Sequence, residues 1–577
     1  MMKDMKTMTL REKIGQMLLC GFEGTQVTDQ LKELIAEHHI GGVIYFARNV
    51  MNTAQVAELS AELQAIAGQA GVVPLWVSID QEGGMVARIT EGVALMPGQM
   101  ALTAGALGAA DGTVNTESNV NTSATGSNEG ANTSTTDSNE GANTSASADP
   151  NAAYEAALIS GKELRSLGIN LNFAPVLDVN NNPDNPVIGV RSFGESAELV
   201  AEFGRRAVQG FQDANVVATA KHFPGHGDTS VDSHLDLPTI VHDQERIRSL
   251  ELVPFVRAIE NGVDAIMSSH IYFPAFEAEK LPATLSRSVL TGLLREELGY
   301  EGVVMTDCME MNAIAEHYGT VAASVMAIEA GADLVLISHR LDRQIGAIAA
   351  IEQAVREGRI SEARIDASVE RLLALKARRG LLEPQAGEVG TADHCAVAQR
   401  LSEASITLVK DERGLLPLKR VRTLAVTVAA AVSSGVDEAY AGPASLGAAL
   451  AARGLDVIDR VLPLAEVGAS LDAVLAAAEG VEQIVVGTYN ARFHAAQVEL
   501  VRALQALGKP LVVVGLRVPY DLLELSEVST FIAAYESRPL ALQSTAKGLL
   551  GELEMKGRLP VSLGSGYPAG WRWEGGL

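Results

Sequence analysis

Residues 221–238, KHFPGHGDTSVDSHLDLP, place His222, His226, Asp228, Asp232 and His234 within thirteen positions. Buried polar groups cost free energy unless they are paired, so a loop this dense in acids and imidazoles suits chemistry better than it suits a core. Asp232 and His234 stand two apart, and an extended backbone puts both side chains on one face. A carboxylate there fixes the imidazole tautomer and favours its protonated form. Such a histidine can give a proton to a leaving group and later take one from water. Zinc is the rival use of the same side chains. Their spacing matches no HExxH-type motif, however, and the glycine and proline between His222 and His226 impose a non-helical turn. No metal is expected in this loop.

Other polar residues stand at or near the ends of apolar runs. Asp80, Asp178, His222, His270 and Asp307 close runs at 74–80, 169–179, 216–222, 265–271 and 302–307, and three more runs lie at 14–22, 41–46 and 333–337. Segments of helical composition at 54–70, 154–167, 197–214, 243–261 and 343–357 separate them. Runs apolar on both faces that alternate with helices specify a parallel sheet covered on both sides. Eight such units predict a (β/α)8 barrel, which gathers its active site at the C-terminal strand ends. An open doubly wound sheet is the competing arrangement and would bind ligand at the same ends. On position alone, Asp307 could be a nucleophile, a metal ligand or a helix cap; the histidine loop adds the proton-transfer partner that a nucleophilic carboxylate needs.

The remaining composition narrows the partner. The 577 residues carry a net charge of −26, which argues against nucleic acid and anionic membrane surfaces and in favour of a small molecule. Cys20, Cys308 and Cys395 are far apart and match no zinc or CxxC spacing. The first residues form no apolar leader and no run of about 18 apolar residues occurs, so a cytoplasmic protein is expected. Nothing in the sequence fixes an oligomeric state. Residues 104–150 break the barrel pattern with Asn, Thr, Ser, Gly and a repeated SNEGANTS, too few apolar groups to offset ordering entropy. An unstructured insertion is therefore expected at about 108–150, between the third strand and its helix. The expected domains are a barrel over 1–380, a linker over 381–394 and a C-terminal α/β sandwich over 395–577. That last region has strand candidates at 423–430, 481–489, 509–516 and 530–535 in a parallel sheet. It has no phosphate-binding loop and no comparable His/Asp cluster, which points to a structural or specificity role.

Segment 221–238 resembles the characteristic loop of bacterial β-N-acetylglucosaminidases in glycoside hydrolase family three. DQEGGMVAR (Asp80 to Arg88), NFAPVLD (Asn172 to Asp178), RSFG (Arg191 to Gly194) and VVMTD (Val303 to Asp307) resemble that family's motifs in the expected order. The resemblance covers residues 10–380 apart from the insertion, and VPYD at 518–521 with GRLPV at 557–561 resembles the second domain of longer members. It implies Asp307 as nucleophile, His234 as general acid/base and Asp232 as its orienting partner. It implies Asp80, Arg88, Arg191, Lys221 and His222 as the groups that hold the sugar, with no cofactor or metal. The implied activity is a retaining exo-β-N-acetylglucosaminidase acting on cell-wall-derived saccharides. The family's glucosidases and xylosidases lack this loop, which singles out N-acetylglucosamine. Most retaining glycosidases use two carboxyls whose repulsion raises one pKa. A histidine in the second place removes that repulsion and leaves room for an anionic acceptor, so a phosphorylase with the same nucleophile is an alternative. A catalytically silent sugar-binding protein is a third reading.

Overall fold

A computed structural model describes residues 5–110, 148–230, 232, 236–381, 387–429 and 444–575. Eight short parallel strands close on themselves: β1 (Leu18–Gly21), β2 (Gly42–Tyr45), β3 (Trp76–Ile79), β4 (Leu171–Asn172), β5 (Val217–Phe223), β6 (Ala265–Ser268), β7 (Val303–Cys308) and β8 (Leu334–Ile337). Each strand pairs with the next in sequence and β1 pairs with β8, which makes the expected (β/α)8 barrel. Every strand residue is buried except Asp307 and Cys308, where β7 emerges half-buried at the barrel mouth. Uniform burial explains the unbroken apolar runs: one face fills the barrel and the other meets the helices.

The helices begin where the sequence can satisfy their first amides. Thr9 and Glu12 form a reciprocal capping box, and the Ser196 and Ser361 hydroxyls accept from Leu199 N and Arg364 N. The two ends of the barrel divide their tasks. At the N-terminal end, fully buried Asp333 accepts from Arg295 (2.5 Å), Arg371 (3.2 Å) and Val304 N (3.0 Å), and Asp264 holds Arg378 and Arg379. These charges are satisfied by the scaffold itself, as expected of the face that serves stability.

Three expectations change in and around the barrel. Only Leu171–Asn172 of the run 169–179 is strand, so Asp178 belongs to the following loop, not to a strand end. The helix expected over 243–261 is two, Gln244–Ser249 and Val253–Glu260, because Pro254 lacks an amide proton and starts a new helix. Residues 104–109 lie in a helix, Gln99–Ala109, whose Gly105 and Gly108 bring the backbone close against Ala404 and the Lys556 carbonyl of the C-terminal region. Residues 111–147, which hold most of the expected insertion, lie outside those described.

The C-terminal sheet contains β9 (Thr407–Asp411), β10 (Thr423–Ala429), β11 (Val457–Pro463), β12 (Gln483–Thr488), β13 (Leu511–Gly515) and β14 (Thr530–Ala533), in the order β9-β14-β13-β12-β10-β11. It is mixed, not parallel throughout, because edge strand β9 runs antiparallel to β14. Both edge strands escaped the sequence reading: β9 carries Lys410 and Asp411, and β11 carries exposed Asp459 and Arg460. The solvated edge β11 does not need the apolar run that marks a central strand, and in buried β9 the charges are partnered, Lys410 donating to the Ser526 carbonyl and Asp411 accepting from the Thr530 hydroxyl. Among the described residues, no helix is long and apolar enough to cross a membrane.

The sheet is joined to the barrel mouth through buried polar contacts. Arg538, fully buried, donates to the carbonyls of Gly84 (3.3 Å) and Met85 (3.0 Å), and Glu536 accepts from Gly98 N (3.3 Å). Burial pushes the Glu536 carboxyl up to about 7. Tyr520 receives a bond from Asn180 at 2.9 Å, and Glu195 accepts from Ser562. Gly84 and Met85 form the turn of a hairpin, Gln81–Gly83 with Val86–Ala87, that leaves β3. Arg538→Ala would strand two buried carbonyls and should cost about 2–4 kcal/mol of stability in urea unfolding; an unchanged midpoint would show that these contacts do not hold the two sheets together.

Candidate active site

The loops at the C-terminal ends of the strands enclose a cleft of about 490 Å³. Asp80, Arg88, Arg191, Lys221, His222 and Asp307 all line it. Six positions spread over 228 residues of sequence (80 to 307) thus converge on one concavity, as barrel topology requires of residues that follow different strands. Asp232 is buried but is not among the cleft's lining residues. His234 lies outside the described residues.

The hairpin after β3 supplies the anionic half of the wall. Asp80 accepts from Lys221 Nζ at 2.9 Å and from Arg88 at 3.2 Å. Two residues on, Glu82 binds Arg191 through both oxygens (2.8 and 2.9 Å) and lies 2.7 Å from Lys221 Nζ. Burial opposes ionisation of Asp80, but Lys221 and Arg88 outweigh it and hold the carboxyl below its ordinary value. The same contest on Glu82, with Arg191 and Lys221 opposing burial, holds that carboxyl well below the usual range. Burial would depress Lys221, yet Asp80 and Glu82 raise it. These five charges fix one another in place at the rim, which keeps Asp80 an acceptor and Lys221 a donor across neutral pH. The sequence reading passed over Glu82 although it lies in the same DQEGG motif, because only the fold reveals that it faces both Lys221 and Arg191.

The loop after β5 is held from beneath by Asp178. Its Oδ2 lies 2.7 Å from His222 Nδ1, and its Oδ1 accepts from His222 N (3.1 Å) and His226 N (2.7 Å). Burial again opposes ionisation and the contacts with His222 outweigh it, so Asp178 stays below its ordinary pKa. Burial, and then the neighbouring His222, push His226 down to about 4, and its Nδ1 meets the Thr229 hydroxyl at 3.0 Å. His226 is therefore a neutral wall residue at physiological pH. Gly227 is required because a Cβ there would lie 1.7 Å from the Val179 carbonyl oxygen. Asp228 turns away from the cleft to His242 at 2.6 Å, so the crowded loop resolves into separate parts.

Asp307 stands at the end of β7, where Cys308 N donates to its Oδ1 at 2.6 Å and fixes the carboxylate's orientation. His270, also noted in the sequence, lies behind it: Nε2 contacts the Cys308 carbonyl (2.9 Å) and Nδ1 the Thr284 hydroxyl (2.8 Å). The far rim holds Phe46, Arg48, Glu310 and His339, none of which carried a motif signal. The Arg48 guanidinium lies 4.4 Å from the Phe46 ring centre, and the His339 ring 5.4 Å from it, a stacked edge beside the opening. The whole is a polar pocket with ionised acceptors, fixed cations and one carboxylate on a strand end, suited to gripping hydroxyl groups around a reacting carbon.

Because Asp80, Glu82 and Asp178 all ionise more readily in the folded chain, their contribution to stability is complete above the ordinary carboxylate range near pH 4 and is lost as pH falls below it. Glu82→Gln should lower stability at pH 7 by about 3 kcal/mol, since two buried cations lose their shared partner. Below about pH 4 the variant should lose stability less steeply than the native chain. Urea midpoints measured from pH 7 to pH 3 test this; parallel curves would show that Glu82 does not carry the charge balance.

The sequence matches the model of the glycosyl hydrolase family 3 N-terminal domain over residues 9–131 and 138–375. It is 36% identical over 422 residues to the beta-hexosaminidase A of Pseudoalteromonas piscicida, covering 69% of this chain, and spans 64% of that relative's length. It is 30% identical to the beta-N-acetylglucosaminidase/beta-glucosidase of Cellulomonas fimi over 95% of this chain and 93% of that one. In three dimensions it superposes on a glycoside hydrolase family 3 beta-N-acetylglucosaminidase from a Paenibacillus species with a TM-score of 0.87 and 46% identity, covering 96% of this chain and 99% of the other. A likeness that runs through the barrel, its cleft and the appended sheet places this chain in glycosyl hydrolase family 3, and the protein belongs among the glycoside hydrolases.

Proposed function

We propose that the protein is a retaining exo-β-N-acetylglucosaminidase that removes terminal β-linked N-acetylglucosamine from cell-wall-derived saccharides or muropeptides. The observation that carries this reading is the convergence of Asp80, Arg88, Arg191, Lys221 and His222 on the cleft that holds Asp307. The Cellulomonas and Paenibacillus relatives are named beta-N-acetylglucosaminidases, the former also beta-glucosidase, and the Pseudoalteromonas relative a beta-hexosaminidase, which supports an amino-sugar substrate.

In this reading the Asp307 carboxylate attacks the anomeric carbon as the glycosidic bond breaks, and the departing oxygen takes its proton from His234. Water then gives a proton to His234 and attacks the same carbon, which frees Asp307 and the sugar. Asp232 orients His234. Asp80, kept ionised by its cations, accepts from sugar hydroxyls, while Lys221, Arg88, Arg191 and His222 donate to hydroxyl and N-acetyl oxygens. The strength of those bonds comes from donors and acceptors already fixed before substrate arrives. The C-terminal sheet contributes support for the Gly84–Met85 turn and takes no part in the chemistry.

Asp307→Ala should reduce turnover of an aryl β-N-acetylglucosaminide by about four to six orders of magnitude; near-normal turnover would exclude its role as nucleophile. His234→Ala should slow substrates with poor leaving groups by about 10² to 10⁴ while sparing activated aryl glycosides, whose departure needs little protonation. Equal losses on both would make His234 structural. Product analysis on a cell-wall disaccharide with and without phosphate assigns the acceptor: free N-acetylglucosamine in both supports hydrolysis, and sugar 1-phosphate would replace it with a phosphorylase.

A further inference from the structure

Cys308 at the end of β7, Glu310 in the loop after it and His339 in the loop after β8 meet on the far rim of the cleft. One ligand atom of each, a thiol sulfur, a carboxylate oxygen and an imidazole nitrogen, lies within 4.8 Å of the other two. No linear motif announces this set, because twenty-nine positions separate Glu310 from His339. The three differ in burial: Cys308 and Glu310 are half-buried and His339 is exposed, so the set opens toward solvent on the side where the cleft opens.

The carboxylate is held in position. Glu310 accepts from His339 N at 2.5 Å and Arg340 N at 3.1 Å, and Arg343 lies 3.5 Å away. An ionised carboxylate offers about four lone-pair directions, so these contacts orient it without exhausting it. Second contacts of this kind hold a ligand ready and are part of most metal sites. His339 is restrained by the Phe46 ring on one face. Arg343 and Arg48 both oppose a cation here, so a weakly held hard ion is disfavoured and the affinity must come from bonds to sulfur and nitrogen. That donor set selects borderline or soft divalent ions such as zinc over magnesium or calcium, which take oxygen ligands.

We propose that Cys308, Glu310 and His339 form a binding site for a zinc-class divalent cation whose occupancy inhibits the enzyme. On binding, the thiol proton leaves to solvent and a sulfur–metal bond forms, with no change of oxidation state. Three protein ligands leave one tetrahedral position facing the cleft. Cys308 directly follows Asp307, so the cation sits beside the carboxylate proposed to attack the sugar. It opposes that carboxylate's negative charge and competes with the sugar for space. This departs from the expectation that the chain holds no metal.

Cobalt(II) is the probe for the site itself. Added to the full chain in metal-free buffer, one equivalent should give a thiolate-to-cobalt charge-transfer band that Cys308→Ser abolishes and His339→Ala weakens by about tenfold or more in affinity. Cys395→Ser, at an exposed cysteine remote from the cleft, should leave the band unchanged. Circular dichroism confirms that each variant is folded. An absent band, or one that survives in Cys308→Ser, overturns the site. The inhibitory half rests on the proposed glycosidase activity and is read separately: zinc should inhibit turnover of an aryl β-N-acetylglucosaminide, with the inhibition constant raised about tenfold or more in His339→Ala. Equal inhibition of both proteins overturns that half while leaving the cobalt result standing.

Discussion

The cleft depends on a charge balance that no single strand could supply. Two carboxylates on the hairpin after β3, Asp80 and Glu82, face Lys221 from β5, Arg88 from the same hairpin and Arg191 from the loop after β4. Each of these charges would be costly in a buried wall by itself. Together they satisfy one another with bonds of 2.7–3.2 Å. The arrangement is rigid because Lys221 and Arg191 tie the hairpin carboxylates to two other elements. A sugar entering such a site meets oriented groups and not a reorganising solvent, which is the physical basis for the proposed catalysis.

That balance explains the placement of the second sheet. Arg538 and Glu536 grip Gly84, Met85 and Gly98, the turn and the segment that flank the Asp80–Glu82 hairpin. The hydrophobic core beneath the C-terminal sheet also includes Met85, Met100 and Val190 from the barrel side. The hairpin is thus clamped between two cores, and the anionic half of the site is carried by a segment that neither core would fix alone.

The barrel was legible because its strands are buried on both faces, so each of the eight wrote an apolar run into the sequence, and strand-end polar residues such as Asp80 and Asp307 marked the mouth. Asp178 was read in the right run but the wrong element, since only two residues of 169–179 pair as strand. Glu82, Glu310 and His339 were not singled out: their significance lies in what faces them across the cleft, and spacing along the chain does not encode it. The edge strands β9 and β11 were invisible for a different reason: charge interrupts both, solvated in β11 and hydrogen-bonded in buried β9. The residues taken from motifs, Arg88, Arg191, Lys221 and His222, all line the cleft with Asp307, whereas Asp232 does not.

The central claim is that Asp307 forms a covalent bond to the anomeric carbon, so that two displacements occur at that carbon. Proton NMR of an aryl β-N-acetylglucosaminide during the first minutes of turnover reads this directly, before the released sugar equilibrates its anomers. Two displacements predict that the β anomer of N-acetylglucosamine appears first and the α anomer only later by mutarotation. An α anomer formed first would mean a single displacement by water and would contradict the role of Asp307 as nucleophile.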